Sequence, residues 1–388
     1  MKALTLAIAG ISGCIGTTIA AGLAALQRRA EPVGLLTELP WPTGGGRGTS
    51  LATRLGLGPL SSMRVMGWDV DTRPLGESVR EKGIVPPELV RTVAAELQQV
   101  RLLPAIAGSR ATALRSAREH LRRLRAGGHD VVLVDVLPAA ETPVASEIHR
   151  DLDAFEQALL DDDPAITPSM VYAWLALSNE IPYLNFTSNV SAELPALCAL
   201  ARRTRTPFCG KDGKTGQTLL KTALAPMLAL RGLRVRGWIS ANYLGNADGE
   251  NLSHPEHAVE KLRNKLGVLD DILGYAVENH IVDIRYYGPR GDFKESWDNI
   301  DFTGFCGVPM QLKVNLLGGD SVLAAPLAID AARLLDRAAR AGAVGPQEQL
   351  SLFFKHPIVN GNSVPEHDLF RQRSLLERWV EATEHSRT

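Results

Sequence analysis

Lys261 and Lys265 stand four apart in residues 242–265, NYLGNADGENLSHPEHAVEKLRNK. That stretch opens on a polar, glycine-bearing turn (Asn242, Gly245, Asn246, Asp248, Gly249) and reads on as a helix. Residues four apart on a helix share a face, so the two ammonium groups point the same way and repel mildly. On most surfaces such a pair stays solvated. Aimed into a pocket, it would receive a phosphate or an oxygen that gains charge during a reaction. Further lysines stand in three separated blocks: Lys214 and Lys221 in GKDGKTGQTLLKT (210–222), Lys294 in GDFKESWD (291–298) and Lys355 in LFFKHP (352–357). Lysine is a compact point charge whose pKa falls on burial or beside other cations. It can therefore stabilise an oxyanion or move a proton near neutrality.

The chain as a whole supplies no such field. Its 42 basic and 43 acidic residues leave a net charge of -1, which favours neither nucleic acid nor an anionic membrane. An anion site must then be a local concentration of charge. The arginine-rich run 110–125 reads as a solvated helical face. His254 and His257 are separated by Pro255, which interrupts their helical relation, so no metal site is expected. Trp68, Trp174, Trp238 and Trp297 read as packing residues. Four cysteines (Cys14, Cys198, Cys209, Cys306) lack CxxC spacing, which argues against a zinc knuckle or a disulfide framework and fits a cytoplasmic protein. No apolar stretch reaches the ~18 residues of a membrane helix. The N-terminal run MKALTLAIAGISGCIG is broken by three glycines and reads as a strand entering a turn rather than a signal peptide.

The elements that must position the lysines alternate. Residues 2–11 read as a buried strand, Gly10, Gly13 and Gly16 as a turn, and 17–27 as a helix. In that context a dinucleotide pyrophosphate rests on a helix N-terminus. The spacing is GxxGxxG, not GxGxxG, and close packing alone would explain it equally well. The strand MRVMGWDV ends near Asp69, an acidic residue placed to meet an adenosine ribose, though farther along than the usual ~20 residues. Residues 87–126 read as helical, 129–139 as a strand, 168–178 as a helix and 181–188 as a strand. This order predicts a doubly wound parallel sheet with ligand sites at the strand C-terminal ends. After about Gly210 the pattern changes. A helix over 218–229 precedes strands over 233–244, 280–288 and 310–318, which predict a second, more antiparallel sheet. A helix over 321–341 then returns, and the charged C-terminal end reads as frayed.

Five of these blocks, in their order along the chain, resemble the inositol-1-phosphate synthase family. The block 210–222 resembles the start of the family's catalytic domain. NYLGNADGENLS (242–253) resembles its Asn/Gly/Asp turn, and Lys261 and Lys265 fall on its two helical lysines. GDFKESWD places Lys294 on a third lysine, and LFFKHP places Lys355 on a fourth. GGDSVLAAPLAID (318–330) places Asp320 on an aspartate beside the cofactor. The resemblance implies an α/β chain with a Rossmann-type NAD domain (1–210, completed by 318–388) and an inserted α+β catalytic and tetramerisation domain (211–317). It implies a homotetramer, a sugar-phosphate substrate and NAD, with a monovalent or divalent cation as a further candidate.

The implied chemistry is the isomerisation of glucose 6-phosphate to 1L-myo-inositol 1-phosphate. The C5 alcohol is oxidised to a ketone, C6 loses a proton, the enolate attacks the C1 aldehyde, and the new ring ketone is reduced by the same NADH. On this reading Lys294 and Lys355 lie near the C5 and C1 oxygens, and Lys261 and Lys265 hold the phosphate and polarise the aldehyde. Asp212 and Asp320 orient lysines or hold an ion beside NAD. Gly10, Ser12, Gly13, Cys14, Ile15 and Gly16 cradle the cofactor, joined by Asp69, Asn185, Asp248, Asp320 and Ser321. Thr187, Ser188, Asn189, Lys221 and Asn242 contact substrate, with Lys214 and Lys221 as reserve catalytic lysines.

The chain departs from the family in three places. GISGCIGTT stands for a GxGGNNGST-like turn, so Ser12, Cys14 and Ile15 replace Gly, Asn and Asn. NFTSNV (185–190) stands for NGSPQN, and VDVLPAAE (134–141) for a TANTE-like segment. Three rival readings stay open. Fructose 6-phosphate would close to a five-membered ring by the same mechanism, an ordinary dehydrogenase would release NADH, and a catalytically dead regulator would merely bind NAD.

Overall fold

The computed structural model describes residues 2–41, 48–107, 109–245, 268–361 and 363–385. Its first sheet has seven strands: β1 (Leu4–Ala9), β2 (Arg64–Asp69), β3 (Arg101–Pro104), β4 (Asp130–Asp135), β5 (Tyr183–Asn185), β6 (Pro207–Cys209) and β11 (Gly345–Pro346). They lie in the order β11-β6-β5-β4-β1-β2-β3, and every neighbouring pair is parallel. The sequence LTLAIA of β1 is buried throughout, as a parallel strand covered on both faces must be. Alternation sends Leu4, Leu6 and Ile8 into one core and Ala7 and Ala9 into another. The first core is closed by helices α1 (Cys14–Gln27) and α3 (Asp320–Arg340), the second by the helices Arg110–Ala126 and Pro168–Ser178. β1 lies between β2 and β4, so the strand order switches direction there. A crevice for a ligand opens at such a point.

The second sheet runs β10-β9-β7-β8, formed by β7 (Arg234–Leu244), β8 (Asn279–Tyr286), β9 (Phe293–Thr303) and β10 (Pro309–Gly319). The pairs β7/β9 and β9/β10 are antiparallel, and β7/β8 is parallel. Helix α2 (Gln217–Leu230) covers one face, where Ala225, Leu228, Val235, Trp238 and Ile300 form a third core. The other face exposes Ile239, Tyr243, Ile281, Trp297 and Leu317. Trp297 is therefore not a packing residue of this chain, being 37% exposed, whereas Trp68, Trp174 and Trp238 are buried.

Three further readings of the sequence need correction. The segment 87–126 is not one helical stretch: β3 interrupts it, a four-residue edge strand too short to show a period. The block around Lys294 enters a strand, β9, that was not among the expected strands. The second sheet is more antiparallel than the first, as expected, with β7/β8 a parallel pair. The C-terminal end is not frayed: helix α4 (Leu369–His385) buries Leu376, Val380 and Thr383 and packs against α2. Trp41 Nε1 donates to Glu377 at 3.0 Å, and Arg54 pairs with Glu384 at 2.7 Å. Its charged residues thus anchor it. Among the described residues no helix is long and apolar enough to cross a membrane.

Candidate active site

β1 delivers the chain to Gly10, whose φ of +89° lies in the left-handed region, where a Cβ would come within 3.1 Å of the Val136 carbonyl oxygen. Gly13 caps α1 without any side-chain hydrogen bond, so the first amides of the helix remain available to an anion. At Gly16 a Cβ would stand 2.5 Å from the Ile11 carbonyl oxygen, so the helix is pressed directly onto the turn. These features fit a dinucleotide pyrophosphate held by backbone. The side chains are otherwise engaged. Asp69 accepts from the Ser12 amide at 2.8 Å and the Asp71 amide at 3.2 Å, while Ser12 Oγ donates to the Asp71 carbonyl at 2.8 Å. Asp69 thus braces the turn, with carboxylate lone pairs left for a ribose hydroxyl. Ile15 packs on the first core. The Cys14 thiol is pushed up by burial and, next, by the charge of Asp292, with a further contribution from Asp320. Both acids thus lie within electrostatic range of the glycine turn, whose helix α1 packs against α3.

Asp292 immediately precedes β9, and Asp320 immediately follows β10. Ser321 donates to Asp292 through its amide (3.0 Å) and its hydroxyl (2.7 Å), and the Asp320 amide donates to the Asp292 carbonyl at 3.0 Å. The Ser321 side chain is thereby committed to Asp292. Asp320 opens α3, where a carboxylate suits the helix dipole. It accepts from Thr215 Oγ1 at 2.9 Å and lies 3.8 Å from Lys294 Nζ. A Cβ at Gly216 would touch Cδ and Cε of Lys294 at 3.8 Å, so this glycine leaves room for the lysine stem.

Lys355 arrives by a different route. Residues 210–214 run against 353–358. Lys211 and His356 exchange backbone hydrogen bonds, Lys355 N donates to the Asp212 carbonyl at 2.7 Å, and Gly213 bridges Phe354. Asp212 adopts φ +61°, a left-handed conformation that aspartate tolerates better than most residues. Across this clasp Lys355 Nζ meets Asp212 Oδ1 at 2.7 Å. Lys211 pairs with Glu193 at 2.9 Å. Burial draws the His356 imidazole down to about 4, so it is neutral at pH 7.

Lys214 and Lys221 differ from these lysines. They are 2% and 1% exposed, and burial pulls both down to about 7, with Asp298 opposing the shift at Lys221. Lys214 donates to Gln372 of α4, and Lys221 stands 2.7 Å from His280 Nε2. Lys214 is thus held against α4 and Lys221 against β8. Asn242 is fully buried on the inner face of β7, its Nδ2 donating to Gln217 Oε1 at 2.7 Å.

The loop after β5 is organised internally. Asn185 Nδ2 donates to the Asn189 carbonyl and to Ser191 Oγ, each at 2.8 Å, and its Oδ1 accepts from the amide and hydroxyl of Thr187. Asn189 donates to the Pro138 carbonyl and Ser169 Oγ and accepts from the Ala140 amide. The polar side chains of Asn185, Thr187 and Asn189 thus shape the loop, and Ser188 is half-buried beside them. The segments 134–141 and 185–190 bond to each other through Asn189. Lys261, Lys265 and Asp248 lie outside the described residues. Among the described residues no three His, Cys, Asp or Glu side chains converge as a metal set.

Sequence reading passed over Thr215, Gln217, Asp292 and Asp298, although all four lie in blocks it singled out. The lysines drew attention from the groups that hold them.

A dinucleotide-type turn accompanied by paired lysines and aspartates defines an enzyme, not a binding module. The family model described as Myo-inositol-1-phosphate synthase matches residues 216–321. Inositol-3-phosphate synthase 1 of Bacteroides thetaiotaomicron is 35% identical over an alignment covering 96% of this chain and 93% of that protein. The inositol-3-phosphate synthase of Saccharomyces cerevisiae is 27% identical over 81% of this chain and 70% of its own length. A crystal structure of inositol-3-phosphate synthase from Caenorhabditis elegans superposes with a TM-score of 0.88 at 22% identity, covering 99% of this chain and 86% of that one, a likeness of fold. The chain belongs to the inositol-phosphate synthase family, whose members are enzymes of the intramolecular lyase or isomerase type.

Proposed function

We propose that this enzyme converts D-glucose 6-phosphate to 1L-myo-inositol 1-phosphate without net redox change, using NAD held at the Gly10–Gly16 turn. The observation that carries the reading is the packing of helix α1, which starts at that turn, against α3, which starts at Asp320 beside Lys294. One space then holds both a cofactor cradle and cations for a charged substrate. When bound, NAD takes up a hydride from a substrate carbon and returns it later in the same turnover.

The chain's own residues do the rest. Lys294 and Lys355 stabilise the oxygens that gain charge as the C5 ketone enolises and the C1 aldehyde is attacked. Asp320 and Thr215 orient Lys294, and Asp212 orients Lys355. Lys261 and Lys265 hold the phosphate. Lys214 and Lys221, turned to Gln372 and His280, act as supports rather than as acid–base groups.

The chain divides, on this reading, into a cofactor domain (1–210 with 318–388) and a catalytic insert (211–317) that builds a homotetramer through the exposed face of the second sheet. It works in the cytoplasm on a free sugar phosphate, without nucleic acid or membrane.

The test is incubation of the full-length protein and NAD+ with glucose 6-phosphate and, separately, fructose 6-phosphate. Phosphorus NMR and mass spectrometry identify products while absorbance at 340 nm follows NADH. A cyclic isomer from glucose 6-phosphate, without NADH build-up, is expected. Product from fructose 6-phosphate alone would move the enzyme to five-membered carbocycles, and stoichiometric NADH would sink the redox-neutral mechanism.

A further inference from the structure

Asp298 is fully buried in the middle of β9, on the face that carries Lys294. Its Oδ1 accepts from Trp238 Nε1 at 2.7 Å, from Ser240 Oγ at 2.6 Å and from Gln217 Nε2 at 3.5 Å, and its Oδ2 accepts from Ser296 Oγ at 3.3 Å. Gln217 Oε1 in turn accepts from Asn242 Nδ2 at 2.7 Å. The chain of bonds ends there: the buried Asn242 Oδ1 has no partner among the described residues.

The direction of this relay is fixed by chemistry. A carboxylate only accepts, and an indole N–H only donates. Gln217 must therefore turn its NH2 towards Asp298, which leaves its carbonyl to face Asn242. Asn242 must then turn its NH2 towards Gln217, which leaves its own oxygen as the open end. Flipping Gln217 would set oxygen against the carboxylate and NH2 against NH2. The open end lies on the same face as Lys294. Asn242 is opposite Ser296 on the ladder, and Lys294 is the next residue of β9 on that face, a diagonal separation of about 7 Å. Gly216, adjacent to Gln217, lies against the Lys294 stem.

We infer that Asp298 is a positioning residue that, through Gln217, presents the oxygen of Asn242 to the substrate, so that the site takes a sugar hydroxyl at that point and rejects a phosphate oxygen. The inference rests on the proposed hexose-phosphate reaction. It gives the pocket a polarity that its cations alone lack. The lysines attract any anionic oxygen, whereas the orphan acceptor on the face of Lys294 admits only a donor, so the phosphate must sit away from Asn242.

The experiment uses the full-length protein with saturating NAD+. Isothermal titration and steady-state kinetics compare glucose 6-phosphate with its 2-, 3- and 4-deoxyfluoro analogues, whose fluorine cannot donate. The parent is expected to bind and turn over one analogue about tenfold less well than the sugar. Asp298→Asn keeps an oxygen facing Trp238, Ser240 and Gln217 and should preserve that ratio. Asp298→Ala should bring the ratio towards one. Inductive effects of fluorine are common to parent and variants and cancel in the comparison. A purely structural role for Asp298 would lower kcat/KM for all four ligands by one factor, and that result overturns the inference. So does a parent that treats all three analogues like glucose 6-phosphate. Should Asp298→Ala fail to fold, Gln217→Leu keeps the Trp238 and Ser240 bonds but cuts the relay, and a folded Gln217→Leu that retains the parental ratio overturns it too. A parent that neither binds nor converts any hexose phosphate sinks the underlying reading as well, whereas binding without discrimination sinks this inference alone.

Discussion

The glycine turn and the lysine cluster are made from different parts of the polypeptide. The turn is backbone: left-handed Gly10, uncapped Gly13 and the close approach at Gly16 define its shape. The cluster is side chain: each described lysine that faces it has a carboxylate partner, Asp320 for Lys294 and Asp212 for Lys355. A backbone cradle tolerates new side chains, such as those of Ser12, Cys14 and Ile15, as long as its glycines remain. A cluster of charges tolerates no such exchange.

Substitutions should separate the two regions. Replacing Lys294 or Lys355 by alanine should lower kcat about 10²- to 10³-fold, the usual loss on removing one oxyanion donor. Cofactor affinity, measured by titrating NAD+ into the same variants, should hardly move. Activity within a few-fold of the parent would remove that lysine from the chemistry. Asp212→Asn keeps the shape of the clasp but takes the charge from Lys355, and a loss of about ten- to hundredfold in kcat/KM is expected. Rescue of that variant at low ionic strength would show that charge, not position, was lost.

The turn should respond in the opposite pattern. Gly16→Ala forces a Cβ against the Ile11 carbonyl, so NAD+ affinity should fall about tenfold and stability by about 1–3 kcal/mol. Cys14→Ser, by contrast, should leave NAD+ affinity within about twofold, because the amide and not the thiol forms the cradle. A large loss on Cys14→Ser would mean that side chains share in the cradle after all.

The smallest effect concerns stability alone. Lys221 titrates near 7 in the folded protein but at 10.5 when unfolded, so between those values the unfolded chain binds more protons. Stability of the parent should therefore rise with pH across that window. Lys221→Met removes the burial cost and should raise the melting temperature at pH 7, with the advantage shrinking as pH approaches 10.5. An advantage that is constant with pH would show that Lys221 does not change protonation on folding.

Much of the fold could be read in advance because strands such as LTLAIA and DVVLVD are uniform apolar runs, and because the helix Pro168–Ser178 carries proline at its first position and threonine as its cap. β3 could not, since four residues of an edge strand carry no period. β9 was hidden for a different reason. Its inner face alternates Lys294, Ser296 and Asp298, polar residues of which Ser296 donates to Asp298 and Lys294 pairs with Asp320, so alternation of hydrophobicity was absent. In the site, the paired charges were legible as residue types. Their partners were not, because Asp212 and Lys355 are 143 residues apart in the chain and meet only through the clasp.

The clasp also says something about birth order. β7 to β10 are drawn from residues 234–319, so the second sheet can pair as soon as that stretch has been synthesised. The first sheet must wait: β11, α3 and the segment carrying Lys355 are all made after it. Long-range pairings of this kind close late and slowly. A nascent chain therefore carries its second sheet before the first is finished, and the Lys355–Asp212 ion pair closes only after residues 353–358 have been made.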